Sequence, residues 1–149
     1  MKKEKIIIYT DGGARGNPGP AGAGAVITSE RGDVIKECKK SLGVMTNNEA
    51  EYEAVLLGLN ELKKKFGKEK IKNFEMEVRM DSELVARQLS GEYQIKEEHL
   101  FPYFIKIWNF QVKDFPKIKF THIPREKNKA ADRLANDAID DSVSRKTLF

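Results

Sequence analysis

The sequence predicts an α/β fold: one mixed five-stranded sheet, three antiparallel strands plus two parallel ones, flanked by helices in the order βββαβααβα. Three observations predict it. The N-terminal third carries three strand-like apolar runs separated by glycine-containing turns. The remainder alternates helical and strand periodicity, which requires parallel strands joined by crossover helices. No repeat, low-complexity tract or Ser/Gly/Pro-rich linker interrupts the 149 residues, so a single domain over residues 1–149 with one substantial core is expected.

The elements follow in order. Ile6-Ile7-Ile8-Tyr9-Thr10 is β-branched and aromatic, the composition of a buried strand. Asp11 stands at its carboxyl end, and Gly12 to Gly22, rich in glycine and proline, is expected to turn the chain. Aspartate often caps turns, so Asp11 has a structural explanation beside any chemical one. Ala23 to Ser29 and Val34 to Leu42 read as a second and third strand, a hairpin about Glu30-Arg31-Gly32-Asp33. A long helix spans Asn47 to Phe66 and ends near Gly67. Phe74 to Met80 alternates apolar and charged side chains, the period of a fourth strand. A short helix covers Ser82 to Leu89, a further helix Glu98 to Val112, a last strand Ile118 to Ile123 and a last helix Lys127 to Asp140. If strands one and four are parallel neighbours, Asp11 and Asp81 meet at the carboxyl edge of the sheet, where ligand sites of open α/β sheets gather.

Composition narrows the class. With 40% hydrophobic and 34% charged residues, the chain has no uncharged apolar segment long enough to span a bilayer. Only a strand-length apolar run follows Met-Lys-Lys-Glu-Lys, so no signal peptide is expected. The single cysteine, Cys38, forms no internal disulfide, which fits a reducing, cytoplasmic setting. A net charge of +4 is compatible with a polyanionic partner without demanding one. Tyr93, Phe101, Tyr103 and Trp108 form a potential stacking surface, though core positions account for most of them.

The carboxylates carry the chemistry. Thr46 followed by Glu49 matches a capping box, a structural role for Glu49. At about 100° per residue, Glu49, Glu53 and Asn60 share one side of the long helix. Glu51 falls on the opposite stripe with Ala54, Val55, Gly58, Leu62 and Phe66. A carboxylate there is costly unless paired or bound to a cation, and no Lys or Arg shares that stripe near this end; reaching water at the helix end is the alternative. Asp132 lies on the last helix at the border of its apolar arc. Carboxylates converging from Asp11, Glu51, Asp81 and Asp132 repel one another and make sense chiefly around divalent cations. Oxygen donors without a Cys/His set favour magnesium, with manganese as a substitute.

Thr-Asp-Gly-Gly-Ala-Arg-Gly-Asn-Pro-Gly, then Thr-Asn-Asn-x-x-Glu, then Asp-Ser, then His122 followed ten residues later by Asp132, resemble type 1 ribonuclease H in the family's order over about Ile6 to Asp140. The resemblance implies a ribonuclease H-like fold and endonucleolytic cleavage of the RNA strand of RNA/DNA hybrids, leaving 5′-phosphate and 3′-hydroxyl ends. It implies two magnesium ions held by Asp11, Glu51, Asp81 and Asp132, with Asp11 bridging both, and a mobile-loop role for His122 in product departure or proton handling. Substrate contacts are implied for Gly12, Gly13, Asn17, Thr46, Asn47, Asn48 and Asn128. The amides suit 2′-hydroxyl recognition because they donate and accept, and glycines leave backbone open to nucleic acid. Many relatives carry glutamine where this chain has Glu83. Ser90 to Leu100 is short and nearly neutral where some relatives have a long basic protrusion, and no separate hybrid-binding domain precedes the core, so weaker hybrid affinity is expected. A monomer without protein partner or membrane association is expected. A related-fold nuclease acting on double-stranded RNA and a non-catalytic hybrid-binding module are the alternatives.

Overall fold

Ten elements alternate along the chain: β1 (Glu4–Ala14), β2 (Gly19–Ser29), β3 (Val34–Met45), α1 (Asn47–Phe66), α2 (Lys68–Ile71), β4 (Phe74–Met80), α3 (Glu83–Leu89), α4 (Phe101–Lys113), β5 (Ile118–His122) and α5 (Lys129–Thr147). They are seen in a computed structural model that describes residues 3–147. The sheet order is β3-β2-β1-β4-β5. β1 pairs antiparallel with β2 and parallel with β4, β2 pairs antiparallel with β3, and β4 pairs parallel with β5. The mixed five-stranded sheet expected from the sequence is therefore present, with β1 at its centre.

α1 covers one face. Tyr52, Val55, Leu59 and Leu62 bury against Ile6, Ile8, Ala25, Ile27, Met76 and Val78 in one continuous core. α5 lies across β2, β3 and β1, with Ala131, Leu134, Ala135, Ala138 and Ile139 buried. Burial of such side chains contributes about 1.5–3 kcal/mol each for the larger ones and fixes the positions of both helices over the sheet.

The strands run further than expected. β1 and β2 remain paired as far as Ala14↔Ala21, so most of the Gly/Pro/Ala stretch is strand and only Arg15 to Pro18 turns, closed by Arg15 N donating to Pro20 O at 2.9 Å. The reason is helix packing. A Cβ at Gly24 would overlap the Ala131 carbonyl and approach Leu134 Cβ to 2.7 Å, and one at Gly22 would come within 2.9 Å of Ile139. Close approach of α5 thus demands residues that local propensity assigns to turns. Two further differences are smaller. α2 is an added turn after Gly67, and α5 starts at Lys129 because Arg125–Lys127 form a 3-10 turn.

The aromatic residues also depart from the core placement expected for most of them. Trp108 is 56% exposed, Tyr93 44% and Phe101 42%, whereas Tyr103 is half-buried and donates to Glu49 Oε2 at 3.3 Å. α4 sits at the margin with Ile107 buried and Tyr103, Phe104 and Phe110 packed against the core from its inner side, while Phe101, Ile105, Trp108 and Val112 face outward.

One charged network lies inside the sheet. Glu77 is 5% exposed, and Lys5 Nζ and Arg79 Nε each approach its carboxylate to 3.1 Å. Burial alone would raise its pKa, but hydrogen bonds from Arg79 and Lys5 hold it down at about 2. Arg79 also donates to Tyr9 Oη at 3.0 Å. Removing Arg79 leaves the buried Glu77 with Lys5 as its one remaining ion-pair partner among the described residues and without the two hydrogen bonds from the guanidinium. Arg79→Ala is therefore expected to lower unfolding stability by about 3 kcal/mol, measured by urea denaturation at pH 7; a loss below about 0.5 kcal/mol would show the network to be dispensable.

Candidate active site

The site is assembled where β1 and β4 part. Their parallel pairing ends at Thr10↔Met80, so the next residues, Asp11 and Asp81, flank the point where the two chains stop bonding. β1 continues there with β2, Asp11 opposite Gly24, which holds the backbone of Asp11 rigid.

α1 delivers the third carboxylate. The expected capping box is present: Glu49 N donates to Thr46 Oγ1 at 3.2 Å, and Thr46 N donates to Glu49 Oε1 at 3.0 Å. With the helix start fixed, Glu51 turns onto the sheet side and is 8% exposed. Gly12 lies directly beneath this first turn, where a Cβ would overlap the Ala50 carbonyl. Its backbone N–H donates to the Glu51 carboxylate. One carboxylate oxygen from each of Asp11, Glu51 and Asp81 lies within 4.8 Å of the others.

α5 supplies the fourth. Asp132, in its first turn, is within hydrogen-bonding reach of Asp11, while its Oδ1 accepts from Asn136 Nδ2 at 3.3 Å. It is exposed, so it stands at the mouth of the pocket and outside the tight trio. Asn128 ties this helix to β1: its Nδ2 donates to Thr10 O at 2.8 Å, and its own carbonyl accepts from Asp132 N at 3.1 Å.

Electrostatics mark the cluster as strained without cations. Burial, and then the charges of Asp81 and Asp132, push Asp11 up to about 8. Burial, and then Asp11 and Asp81, raise Glu51 well above the ordinary carboxylate range. Glu51 Oε2 is buried without a hydrogen-bond partner. Among the described residues, the one basic side chain in ion-pair range of these four acids is Arg125, whose Nε lies 3.7 Å from Asp81 Oδ2. Converging oxygen donors, one of them an orphaned buried oxygen, fit a hard divalent cation and offer nothing to a soft one.

The other expected site residues are distributed around this pocket. His122 ends β5, opposite Met80, is exposed, and places Nδ1 3.7 Å from Glu83 Oε2. Asn17 Oδ1 accepts from Asn47 N at 3.0 Å and Asn47 Oδ1 accepts from Ala14 N at 2.9 Å. These bonds clamp the β1–β2 turn to the start of α1 and use only the carbonyl side of each amide. Asn48 Nδ2 donates to Glu97 Oε1 at 3.4 Å. Gly13 is half-buried, with nothing nearer to its Cβ position than Asn47 Oδ1 at 4.0 Å.

Two expected contacts require correction. Asn128 is 1% exposed, so it joins β1 to α5 and presents no surface to a nucleic acid. Gly12 is bare for the backbone of α1, and its one polar hydrogen goes to Glu51. Arg125 had no signal in the sequence, because a basic residue between proline and glutamate in a loop reads as solvated surface. Only its place between His122 and Asp132 points to the pocket.

Fold and pocket together define an α/β protein whose sheet edge gathers carboxylates suited to divalent cations. The family described as Reverse transcriptase-like matches residues 9–138. Ribonuclease HI of Halobacterium salinarum is 38% identical over 138 residues, covering 93% of this chain and 66% of that protein. A bifunctional protein of Mycobacterium tuberculosis is 41% identical over 137 residues, covering 91% of this chain; the chain spans only 36% of that relative's length. A ribonuclease H1 isolated from compost superposes with a TM-score of 0.88 at 52% identity, covering 93% of this chain and 98% of that one. Its structure in complex with an RNA/DNA hybrid superposes with a TM-score of 0.89. The chain belongs to the ribonuclease H family and resembles its type 1 members.

Proposed function

We propose that this protein is an endonuclease that hydrolyses the RNA strand of RNA/DNA hybrids, with residues 1–149 forming one catalytic domain. The observation that carries the reading is the oxygen trio of Asp11, Glu51 and Asp81 within 4.8 Å, on a fold whose 52% identical neighbour was solved with such a hybrid. Asp11 interacts with Asp81, Asp132 and Glu51 alike, which supports reading it as the carboxylate that two cations would share. Two magnesium ions, with manganese as a substitute, would lower the pKa of an attacking water and stabilise the departing 3′ oxygen, giving 5′-phosphate and 3′-hydroxyl ends.

The chain's own residues do the rest. Gly12 N–H and the capped start of α1 hold Glu51 in place, and Asn128 fixes Asp132 relative to β1. His122, exposed at the rim beside Glu83, is free to exchange a proton with solvent or product. Asn17 and Asn47 each retain an NH₂ group with no partner among the described residues, available as donors to 2′-hydroxyls in the wide minor groove of a hybrid; Asn48, Thr46 and Gly13 line the same corner. Among the described residues no helix is long and apolar enough to cross a membrane. We place the protein in the cytoplasm, acting as a monomer.

The test is magnesium-dependent cleavage of an end-labelled RNA/DNA hybrid beside matched duplex RNA and duplex DNA. Cleavage confined to the RNA strand of the hybrid is the expected result. Equal cleavage of duplex RNA would replace the substrate assignment, and hybrid binding without cleavage would reduce the protein to a binding module. Because residues 90–100 carry no long basic protrusion, few phosphate contacts are expected. The logarithm of hybrid affinity should fall with that of salt less steeply than for a relative possessing the protrusion, each contact adding about 0.9 to the slope.

A further inference from the structure

Arg125 stands apart from the other cations near the pocket. It lies in the 3-10 turn Arg125–Lys127 between β5 and α5, on the segment that also carries His122 and leads to Asp132. Its side chain is 88% exposed, yet its Nε reaches to 3.7 Å from Asp81 Oδ2, a carboxylate only 10% exposed. No other ion pair engages Arg125 among the described residues. A largely solvated guanidinium thus leans over a carboxylate cluster that has no other ion-pair partner among the described residues.

We propose that Arg125 is a displaceable counter-ion: it neutralises Asp81 while the pocket holds no divalent cation, and it is released to grip a phosphate of the nucleic acid once a cation enters. This deepens the functional reading and rests on the pocket binding divalent cations. The physical basis is charge competition. A divalent cation at Asp81 pairs with the same carboxylate more strongly and repels a guanidinium lying a few ångströms away. An exposed ion pair is worth little, so its loss is easily offset. A freed guanidinium is a planar fork that meets a phosphate through two hydrogen bonds. From the rim of the pocket it reaches the strand on which the acids act. Cation binding and substrate grip are therefore coupled through one side chain, and each should respond to its removal with opposite sign.

The test uses the full chain, Arg125→Ala and Arg125→Gln. Calorimetric titration with Mg²⁺ at pH 8 and without nucleic acid should show about two- to fivefold tighter binding by both variants, the amount an exposed ion pair represents. Hybrid binding with Ca²⁺ in place of Mg²⁺ should weaken, and its logarithmic salt slope should become shallower by about one phosphate contact. A side chain that merely supported the loop would shift neither quantity in this pattern. Unchanged or weaker Mg²⁺ binding in both variants, or an unchanged salt slope, would overturn the proposal. A wild-type protein that binds Mg²⁺ but cleaves no hybrid would fail the functional reading while the Mg²⁺ comparison still decided this one.

Discussion

Asp11→Asn is expected to reduce hybrid cleavage by on the order of a thousandfold or more while making the cation-free protein more stable at pH 8. Both effects come from the same charge. Asp11 interacts with Glu51, Asp81 and Asp132 at once, so the amide removes the carboxylate common to the whole cluster. The same group is held up at about 8 by burial, then by Asp81 and Asp132. In the unfolded chain it ionises near 3.8. Between those values the folded state binds the proton more tightly than the unfolded state. The protonated carboxyl's contribution is fully present below about pH 4 and is lost as pH rises through about 8. Metal-free wild type should therefore melt at a lower temperature at pH 8.5 than at pH 6. The gap should be at least about 3 °C, since 1 kcal/mol moves the midpoint of a domain this size by about 2–4 °C. Asn does not titrate, so Asp11→Asn should show a smaller drop, and Mg²⁺ should reduce it in the wild type. Scanning calorimetry with chelator and with Mg²⁺ decides it. A variant that melts below wild type at pH 8.5, or that cleaves at the wild-type rate, would show that Asp11 is not the strained shared ligand.

Three of the four carboxylates were legible in the sequence from their local position. Glu51 lies on an apolar stripe, and Asp11 and Asp81 end apolar strands; the structure brings these three together. Asp132 was harder, since it sits at a polar border in both sequence and structure, and it reaches the pocket only because α5 packs against β2. That packing is the part hidden from local patterns. Gly22 and Gly24 look like turn residues until the backbone of α5 is seen lying over them. Asn128 looks like a polar loop residue until its amide is found buried against Thr10 O. In both cases the deciding partner is more than a hundred residues away in the chain, beyond any periodicity or capping signal. Phe101 and Trp108 of α4 failed for the converse reason: their composition announces a core, but they lie on the outer side of a marginal helix whose inner side, Tyr103, Phe104, Ile107 and Phe110, meets it.

The largest stability effect is expected at Gly12, and it discriminates between two explanations of the glycine pair. If the glycines are bare to admit a nucleic acid, Gly12→Ala and Gly13→Ala should behave alike, with little loss of stability and with weakened hybrid binding. The packing of α1 predicts otherwise. A Cβ at Gly12 meets the Ala50 carbonyl and lies 2.6 Å from Glu51 N, all backbone atoms that no side-chain rotation can relieve. The first turn of α1 would have to lift from β1, breaking the Gly12 N–H bond to Glu51 and withdrawing that carboxylate from Asp11 and Asp81. At Gly13 the nearest atom is 4.0 Å away and φ is not positive, so alanine fits. Gly12→Ala should thus cost about 3 kcal/mol or more, at the upper end for overpacking because the clash is with backbone, and should weaken Mg²⁺ binding. Gly13→Ala should stay within about 0.5 kcal/mol of wild type. Urea unfolding of both variants, with Mg²⁺ titration of whatever folds, separates the readings. Near-equal stabilities would mean that α1 does not bear on Gly12, and the route by which Glu51 reaches the pocket would need another explanation.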